Sequence, residues 1–273
     1  MWNLIKMDFY RLFSSKTIKV GALVAGLLCA GYMFLSLGIV ELSRIAFAQD
    51  PMAGAGLGLL LAQVEWVYGV DFAEIILGAT AALSLFVGCM ISANFIGAEQ
   101  SCGYTKNFAG QLSNKGYMAI SKFVVTAAAQ LMVLVIYTAV SSLLAVLLFG
   151  RYINGYAIGT LCAALTLRFL LHLAINAIII FLCTLTKSHA IAMVAGCIFG
   201  IGITKFVYMV ASMLLGVMKI NFDIASYMPD GVNSQLTIGT VGELAVKAIA
   251  VSAFFMAAFL MANYFVVKNR DVK

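Results

Sequence analysis

Residues 156–185 read YAIGTLCAALTLRFLLHLAINAIIIFLCTL, an apolar run in which Arg168 is the single fixed charge. A helix needs about 20 apolar residues to cross a hydrocarbon layer roughly 30 Å thick, and this run is longer than that. Other segments of the chain meet the same requirement. The predicted membrane spans are residues 18–40, 70–96, 119–149, 156–185, 190–218 and 244–267.

The composition agrees with a chain that lies largely in lipid. Hydrophobic residues make up 63% and charged residues 10%, whereas an ordinary globular domain carries about a quarter charged residues. In lipid the backbone must satisfy its own hydrogen bonds, and runs of this length do so as helices. Barrel strands would instead show alternating segments of about 10 residues. The sequence therefore predicts an all-α integral membrane protein with six transmembrane helices.

The distribution of charge predicts the orientation of these helices, because cytoplasmic loops hold the excess of lysine and arginine. Both termini and the loops after spans two and four carry the bases Lys6, Arg11, Lys16, Lys19, Lys106, Lys115, Lys122, Lys187, Lys268, Arg270 and Lys273. The opposite loops and span ends carry the acids Glu41, Asp50, Glu65, Asp71, Glu74, Asp223, Asp230 and Glu243. Both termini are therefore predicted to be cytoplasmic. The net charge of +6 then favours anionic lipid headgroups over nucleic acid as a partner.

Residues 1–17 form a separate N-terminal unit ahead of the membrane domain, residues 18–273. Its apolar residues recur at helical spacing and are Trp2, Ile5, Phe9, Leu12 and Phe13. The polar face is formed by Lys6, Asp8, Arg11 and Ser15, and this pattern predicts an amphipathic helix lying in the membrane interface. A frayed basic flank is the alternative.

The segment 97–122 between spans two and three is polar and longer than a turn between helices requires. Tyr104, Phe108 and Leu112 stand at i, i+4 and i+8 and would give a short helix one apolar face. Such a face can insert into a groove of another protein. The alternative is that this apolar face packs against the helical bundle of its own chain, which would produce the same spacing.

Three stretches together resemble a known family. They are 3–16 (NLIKMDFYRLFSSK), the loop from Glu99 to Lys122, and the C-terminal 268–273 (KNRDVK). The chain resembles ABC-2 type transporter permeases along its whole length. It is most similar to bacterial permeases for export of, or immunity to, peptide antibiotics such as bacitracin and lantibiotics. The resemblance implies the ABC-2, type V exporter-like fold and a location in the bacterial cytoplasmic membrane.

The resemblance also implies partners and site residues. Two cytoplasmic ATPases would bind ATP and Mg²⁺, a second permease subunit would complete the transporter, and this chain would carry no cofactor. The residues implied in ATPase coupling are Glu99, Gly103, Tyr104, Thr105, Lys106, Phe108, Leu112, Lys187 and His189. Similar permeases fold the segment corresponding to 219–242 into short re-entrant helices near the outer face.

This chain is not expected to be an enzyme. No Gly-Lys-Ser/Thr phosphate-binding turn occurs, so ATP hydrolysis requires a separate polypeptide. The six cysteines form no Cys-x-x-Cys pair, and no metal site is indicated. Two alternatives to an exporter remain open. One is a non-transporting subunit for antibiotic-peptide sensing or immunity, and the other is an ion-coupled carrier, although no internal repeat is evident.

Polar residues inside the predicted spans are further candidates, because each costs about 2.5 to 3.5 kcal/mol on insertion scales unless it is paired or wet. Arg168, His172 and Asn176 stand at i, i+4 and i+8 and form a stripe down span four. Lys205 lies within span five. These residues line a substrate pathway or form a structural network, with Glu74 and Glu243 as possible counter-charges. The Gly196 and Gly200 pair in span five predicts close packing within the chain.

Overall fold

The structure is a computed structural model that describes residues 2–49, 70–101, 114–150, 153–155, 157–217 and 223–269. The chain within these ranges is almost entirely helical. The helices are α1 (Trp2–Ser14), α2 (Lys16–Gln49), α3 (Phe72–Ala81), α4 (Leu83–Ser101), α5 (Tyr117–Phe149), α6 (Ile158–Thr186), α7 (His189–Ile201), α8 (Ile203–Val217), α9 (Pro229–Gln235) and α10 (Val241–Lys268). Two short strands, β1 (Val70–Asp71) and β2 (Ile153–Gly155), pair in parallel.

Five helical segments in the described part are long and apolar enough to cross a membrane. They are Lys16–Ile39, Phe72–Glu99, Tyr117–Phe149, Ile158–Thr186 and Val241–Lys268. Each overlaps one predicted span. The multi-pass helical prediction is therefore confirmed for five spans, or for six if the bent pair α7 and α8 counts as one.

The fifth predicted span is not one straight helix. α7 ends at Ile201 and α8 begins at Ile203, and their axes differ by 73°. Gly202 lies between them with φ of +83°, and its N–H donates to the Ile198 carbonyl, which caps α7. A left-handed residue ends a helix at this point, and glycine adopts that conformation without a Cβ penalty. The hydropathy of the segment predicted its length but not this bend.

The second and fourth spans form the centre of the bundle. In each of them 67% of the most apolar window is buried, against 11% in α10. Large apolar side chains such as Leu147, Phe254 and Met261 remain exposed on the outer helices. An apolar outer surface is expected where the surrounding solvent is hydrocarbon.

The segment before α10 contains a 3₁₀ turn (Ala225–Tyr227) followed by α9, which begins with Pro229. α9 packs against α6 and buries Asp230 and Asn233. The predicted re-entrant insertion of residues 219–242 stays a prediction, and residues 219–222 lie outside the described ranges.

α7 packs closely against α4 through Gly196 and Gly200, as the sequence predicted for packing within the chain. A Cβ at Gly200 would lie 2.8 Å from the Phe86 Cα, a backbone atom that cannot rotate away. Gly200→Ala is therefore expected to destabilise the protein by about 1 to 3 kcal/mol through overpacking. The measurement is the thermal unfolding midpoint in detergent. Gly216→Ala is the control, because its Cβ would meet no atom of the described residues within 4 Å. Equal midpoints for the two variants would contradict the packing.

Candidate functional site

Four charged side chains meet at the end of the bundle where α4 ends and α5 begins. They are Asp8 and Arg11 on α1, Glu99 on α4 and Lys122 on α5, and we call them the four-charge cluster. Asp8 and Arg11 are neighbours on α1, whereas Glu99 and Lys122 come from distant parts of the sequence, so the cluster joins three separate helices. It contains two acids and two bases and is neutral as a set.

Glu99 is the centre of the four-charge cluster. Its Oε2 accepts from Arg11 Nη2 at 2.7 Å, and its Oε1 accepts from Lys122 Nζ at 2.7 Å. The Arg11 guanidinium also lies 4.3 Å from the ring centroid of Phe95. Glu99 is only 4% exposed, and a buried carboxylate with two cationic donors has its charge compensated.

Asp8 completes the cluster from α1. Its Oδ2 accepts from the Ser121 hydroxyl at 2.6 Å, and its Oδ1 lies 3.7 Å from Arg11 Nη1. The sequence assigned Asp8 to the polar face of an interfacial helix, and that assignment is wrong. Asp8 lies instead on the buried face of α1 with Leu4, Ile5 and Leu12, because Ser121 and Arg11 offer it partners there.

Burial raises the pKa of the Asp8 carboxyl above its ordinary 3.8, and the Glu99 charge adds to that rise. The Ser121 hydrogen bond and the Arg11 and Lys122 charges act in the opposite direction but are outweighed. The folded protein therefore binds this proton more tightly than the unfolded chain does. The stability contribution of Asp8 is complete below pH 3.8 and is lost as pH rises through its folded pKa.

Asp8→Asn is expected to flatten this pH dependence, because asparagine keeps an acceptor for Ser121 without an ionisable proton. The stability advantage of the variant over the natural protein should grow as pH rises above 3.8 and then level off. Thermal midpoints measured across pH test this. Asp8→Ala, which removes the acceptor, should be less stable than Asp8→Asn throughout. Parallel pH profiles for Asp8→Asn and the natural protein would refute the assignment.

The far end of the segment 102–113 is also anchored. Asn114 Nδ2 donates to the Tyr264 hydroxyl at 2.7 Å, so the start of the third span is fixed to α10. α4 extends to Ser101 and α5 begins at Tyr117, so helices occupy both ends of the predicted 97–122 loop. The described residues on either side of positions 102–113 are thus tied to the bundle, through Glu99 on one side and Asn114 on the other.

A second polar site lies in the interior, toward the opposite end of the bundle. Arg168 on α6 is 1% exposed and donates to the Leu77 carbonyl, to Thr80 Oγ1 at 2.8 Å, to Asn233 Oδ1 at 3.1 Å and to the Leu236 carbonyl at 3.3 Å. We call this arrangement the arginine site. It ties α6 to α3 and to the segment around α9.

The remaining stripe residues point into the same interior. His172 Nδ1 accepts from Gln130 Nε2 at 3.0 Å, and Asn176 Nδ2 donates to Thr126 Oγ1 at 3.0 Å. Both residues are fully buried, as is Gln130. The predicted stripe of Arg168, His172 and Asn176 therefore faces the second and third spans.

No family model and no curated protein gives a significant match to this chain. Its function is therefore inferred from its geometry and chemistry.

The predicted coupling residues have different outcomes. Glu99 belongs to the four-charge cluster, and Lys187 is exposed at the turn between α6 and α7 with φ of 57°. The backbone of His189 begins α7, but its side chain is not described. Gly103, Tyr104, Thr105, Lys106, Phe108 and Leu112 lie outside the described residues, and their role stays a prediction.

Lys205 does not join the arginine site. It follows the bend at Gly202, is exposed, and borders a small cavity of about 50 Å³ beside Asp230. The predicted counter-charges are not its partners in the described part of the chain. Glu74 Oε1 accepts from the Ile238 N–H at 2.9 Å, and Glu243 is exposed. Within the described ranges, no group of three or more metal-ligating side chains is suited to hold an ion.

Sequence reasoning missed most partners of these candidates. Arg11 and Lys122 were counted among the bases of the cytoplasmic side, and Asp8 was placed on the polar face of the N-terminal helix. None of the three was paired with Glu99, and Asn233 and Gln130 were not singled out. One signal was present: Asp8 and Glu99 are among the few acids on a strongly basic side of the chain. Scarce acids among many bases are expected to be paired.

Proposed function

We propose that this chain is the membrane-spanning permease subunit of an ATP-binding cassette exporter of the ABC-2 type. It would move an amphipathic peptide, antibiotic or lipid-like substrate across the bacterial cytoplasmic membrane. ATP and Mg²⁺ would be bound by two separate cytoplasmic ATPase subunits, and a second permease chain would face this one. Both termini would be cytoplasmic.

The observation that carries the proposal is the anchoring of both ends of the segment 102–113. Glu99 ties the end of the second span to α1 and to the third span, and Asn114 ties the segment's other end to α10. A force applied to the segment by an ATPase would therefore reach four helices at once. Buried, paired charges make these connections stiff, because separating them leaves an uncompensated charge.

The apolar face of Tyr104, Phe108 and Leu112 is the proposed docking element for the ATPase. Replacing all three with aspartate should abolish copurification of the ATPase from detergent and ATP-driven transport in vesicles. The matched control is Tyr227→Asp, an exposed aromatic at the opposite end of the bundle. If no ATPase copurifies with the unaltered chain, or the triple variant still transports, the proposal fails.

The same vesicles separate an exporter from a sensing subunit and from an ion-coupled carrier. An exporter stops when the partner ATPase is made inactive, and it is insensitive to collapse of the ion gradient. A sensing subunit would bind the peptide without moving it. A carrier would depend on the gradient and not on ATP.

A further inference from the structure

A groove runs along the outer surface between α2 and α4, with a volume of about 480 Å³. Lys16, Thr17 and Asn94 lie at one end, and Val20, Val24 and Phe86 line the rest. Val24 is eight residues beyond Lys16, so the groove extends along α2 for about 12 Å at 1.5 Å per residue. The helices run in opposite directions, which brings Asn94 level with Lys16. The groove is therefore polar at one end and apolar along its length.

The polar end of the groove is on the same side of the bundle as the four-charge cluster. Lys16 follows Arg11 by five residues, and Asn94 precedes Glu99 by five. Three side chains at this end make no hydrogen bond or ion pair with any described residue. They are the Lys16 ammonium, the Thr17 hydroxyl and the Asn94 side-chain amide. Lys16 and Thr17 also begin α2, where the positive end of the helix dipole attracts anions.

A second groove on the outer surface lacks the polar end that distinguishes the first one. It lies between α5 and α6, has a volume of about 400 Å³, and is lined by Leu131, Thr138 and Thr166 among others. Its hydroxyls donate to carbonyls of their own helices, Thr138 to Leu134 and Thr166 to Cys162. Among the residues that the structure describes, no charged side chain lines this second groove, so it offers no group that would select a headgroup.

We propose that the α2–α4 groove binds one anionic phospholipid from the leaflet on the side of the four-charge cluster. The lipid phosphate lies at Lys16, Thr17 and Asn94, and one acyl chain follows Val20 and Val24 along the groove. Charge complementarity selects the occupant, because an ammonium, two neutral polar groups and a helix N-terminus meet a negative headgroup at the depth where lipid headgroups begin. This site does not depend on the proposed function.

The test is native mass spectrometry of the detergent-solubilised full chain titrated with phosphatidylglycerol and, separately, with phosphatidylcholine. We expect one tightly bound phosphatidylglycerol per chain and weaker binding of phosphatidylcholine. Lys16→Gln should weaken phosphatidylglycerol binding roughly tenfold, because it removes a direct hydrogen bond between two charged groups. Lys19→Gln is the control, since Lys19 is an exposed lysine on the same helix outside the groove.

A second pair of variants tests the acyl-chain part of the site. Val20→Trp should fill the groove and remove the tight lipid, whereas Leu131→Trp, in the α5–α6 groove, should leave it bound. Equal effects of Lys16→Gln and Lys19→Gln would overturn the proposal in favour of general surface attraction. Equal affinity for the two lipids, retention of the lipid by Val20→Trp, or displacement by soluble glycerol phosphate would also overturn it.

Discussion

Glu99→Gln is expected to destabilise the protein by about 3 kcal/mol and, if the chain is the proposed permease, to leave the surviving molecules unable to couple ATP hydrolysis to transport. The substitution keeps the shape of the side chain but removes the charge that Arg11 and Lys122 share. Lys122 is then left buried without its carboxylate. The measurements are the thermal unfolding midpoint and the ratio of transport to ATPase activity in vesicles with the partner ATPase.

A double variant distinguishes the interaction energy of the Glu99–Lys122 pair from the effects of the two single substitutions. Glu99→Gln combined with Lys122→Met removes the buried ammonium together with its carboxylate. Arg11 still has Asp8 at 3.7 Å, so the midpoint should recover part of the loss. The paired control is Lys19→Met with Glu99→Gln, which removes an exposed lysine outside the cluster and should recover nothing. Strictly additive effects for Glu99 and Lys122 would show that the two charges do not interact.

Arg168→Met is expected to cost about 3 kcal/mol or more, because it removes several charged hydrogen bonds from a site that is 1% exposed. The carbonyls of Leu77 and Leu236 and the Asn233 side chain would lose their donor. Arg168→Lys should rescue little, since an ammonium cannot reproduce the guanidinium fork. The measurement is the folded fraction and thermal midpoint in detergent, with Thr166→Val on the exposed face of the same helix as control.

The arginine site also separates the two interpretations of the polar stripe. The guanidinium is occupied by partners from α3 and from the segment around α9 and is enclosed by the chain, a geometry that favours a structural role. For the proposed transporter, a structural role of Arg168 predicts a reduced yield of folded protein but normal transport per folded molecule. Normal folding with reduced transport would instead make Arg168 part of a pathway.

Length and hydropathy were sufficient to predict where five helical segments lie, because a run of about 20 apolar residues has few other stable forms. Length and hydropathy did not predict the bend at Gly202. Glycine and isoleucine are both compatible with an apolar window, so a hydropathy average cannot distinguish a straight span from two helices at 73°. The sequence alone did not distinguish Gly202 from the other glycines of the span, so its left-handed conformation was not predicted.

The polar stripe was predictable because Arg168, His172 and Asn176 share one helix, where spacing alone places residues on a common face. Its partners were not predictable, because Gln130 and Asn233 come from other helices and their approach depends on tertiary packing. The four-charge cluster was not predicted from the sequence for the same reason. Asp8 and Glu99 are far apart along the chain, and a pattern within α1 places Asp8 with the polar residues unless its partner is known.

The position of Phe108 is the most direct test of the central claim that this helical subunit is driven from its cytoplasmic face. The experiment treats a Phe108→Cys variant, made in a Cys102→Ser background, with a membrane-impermeant thiol reagent in inside-out vesicles and in intact cells. The account predicts labelling in inside-out vesicles, none in intact cells, and protection by the bound ATPase. Labelling of the Phe108→Cys variant at that position in intact cells would contradict it, because the proposed docking segment would then be outside.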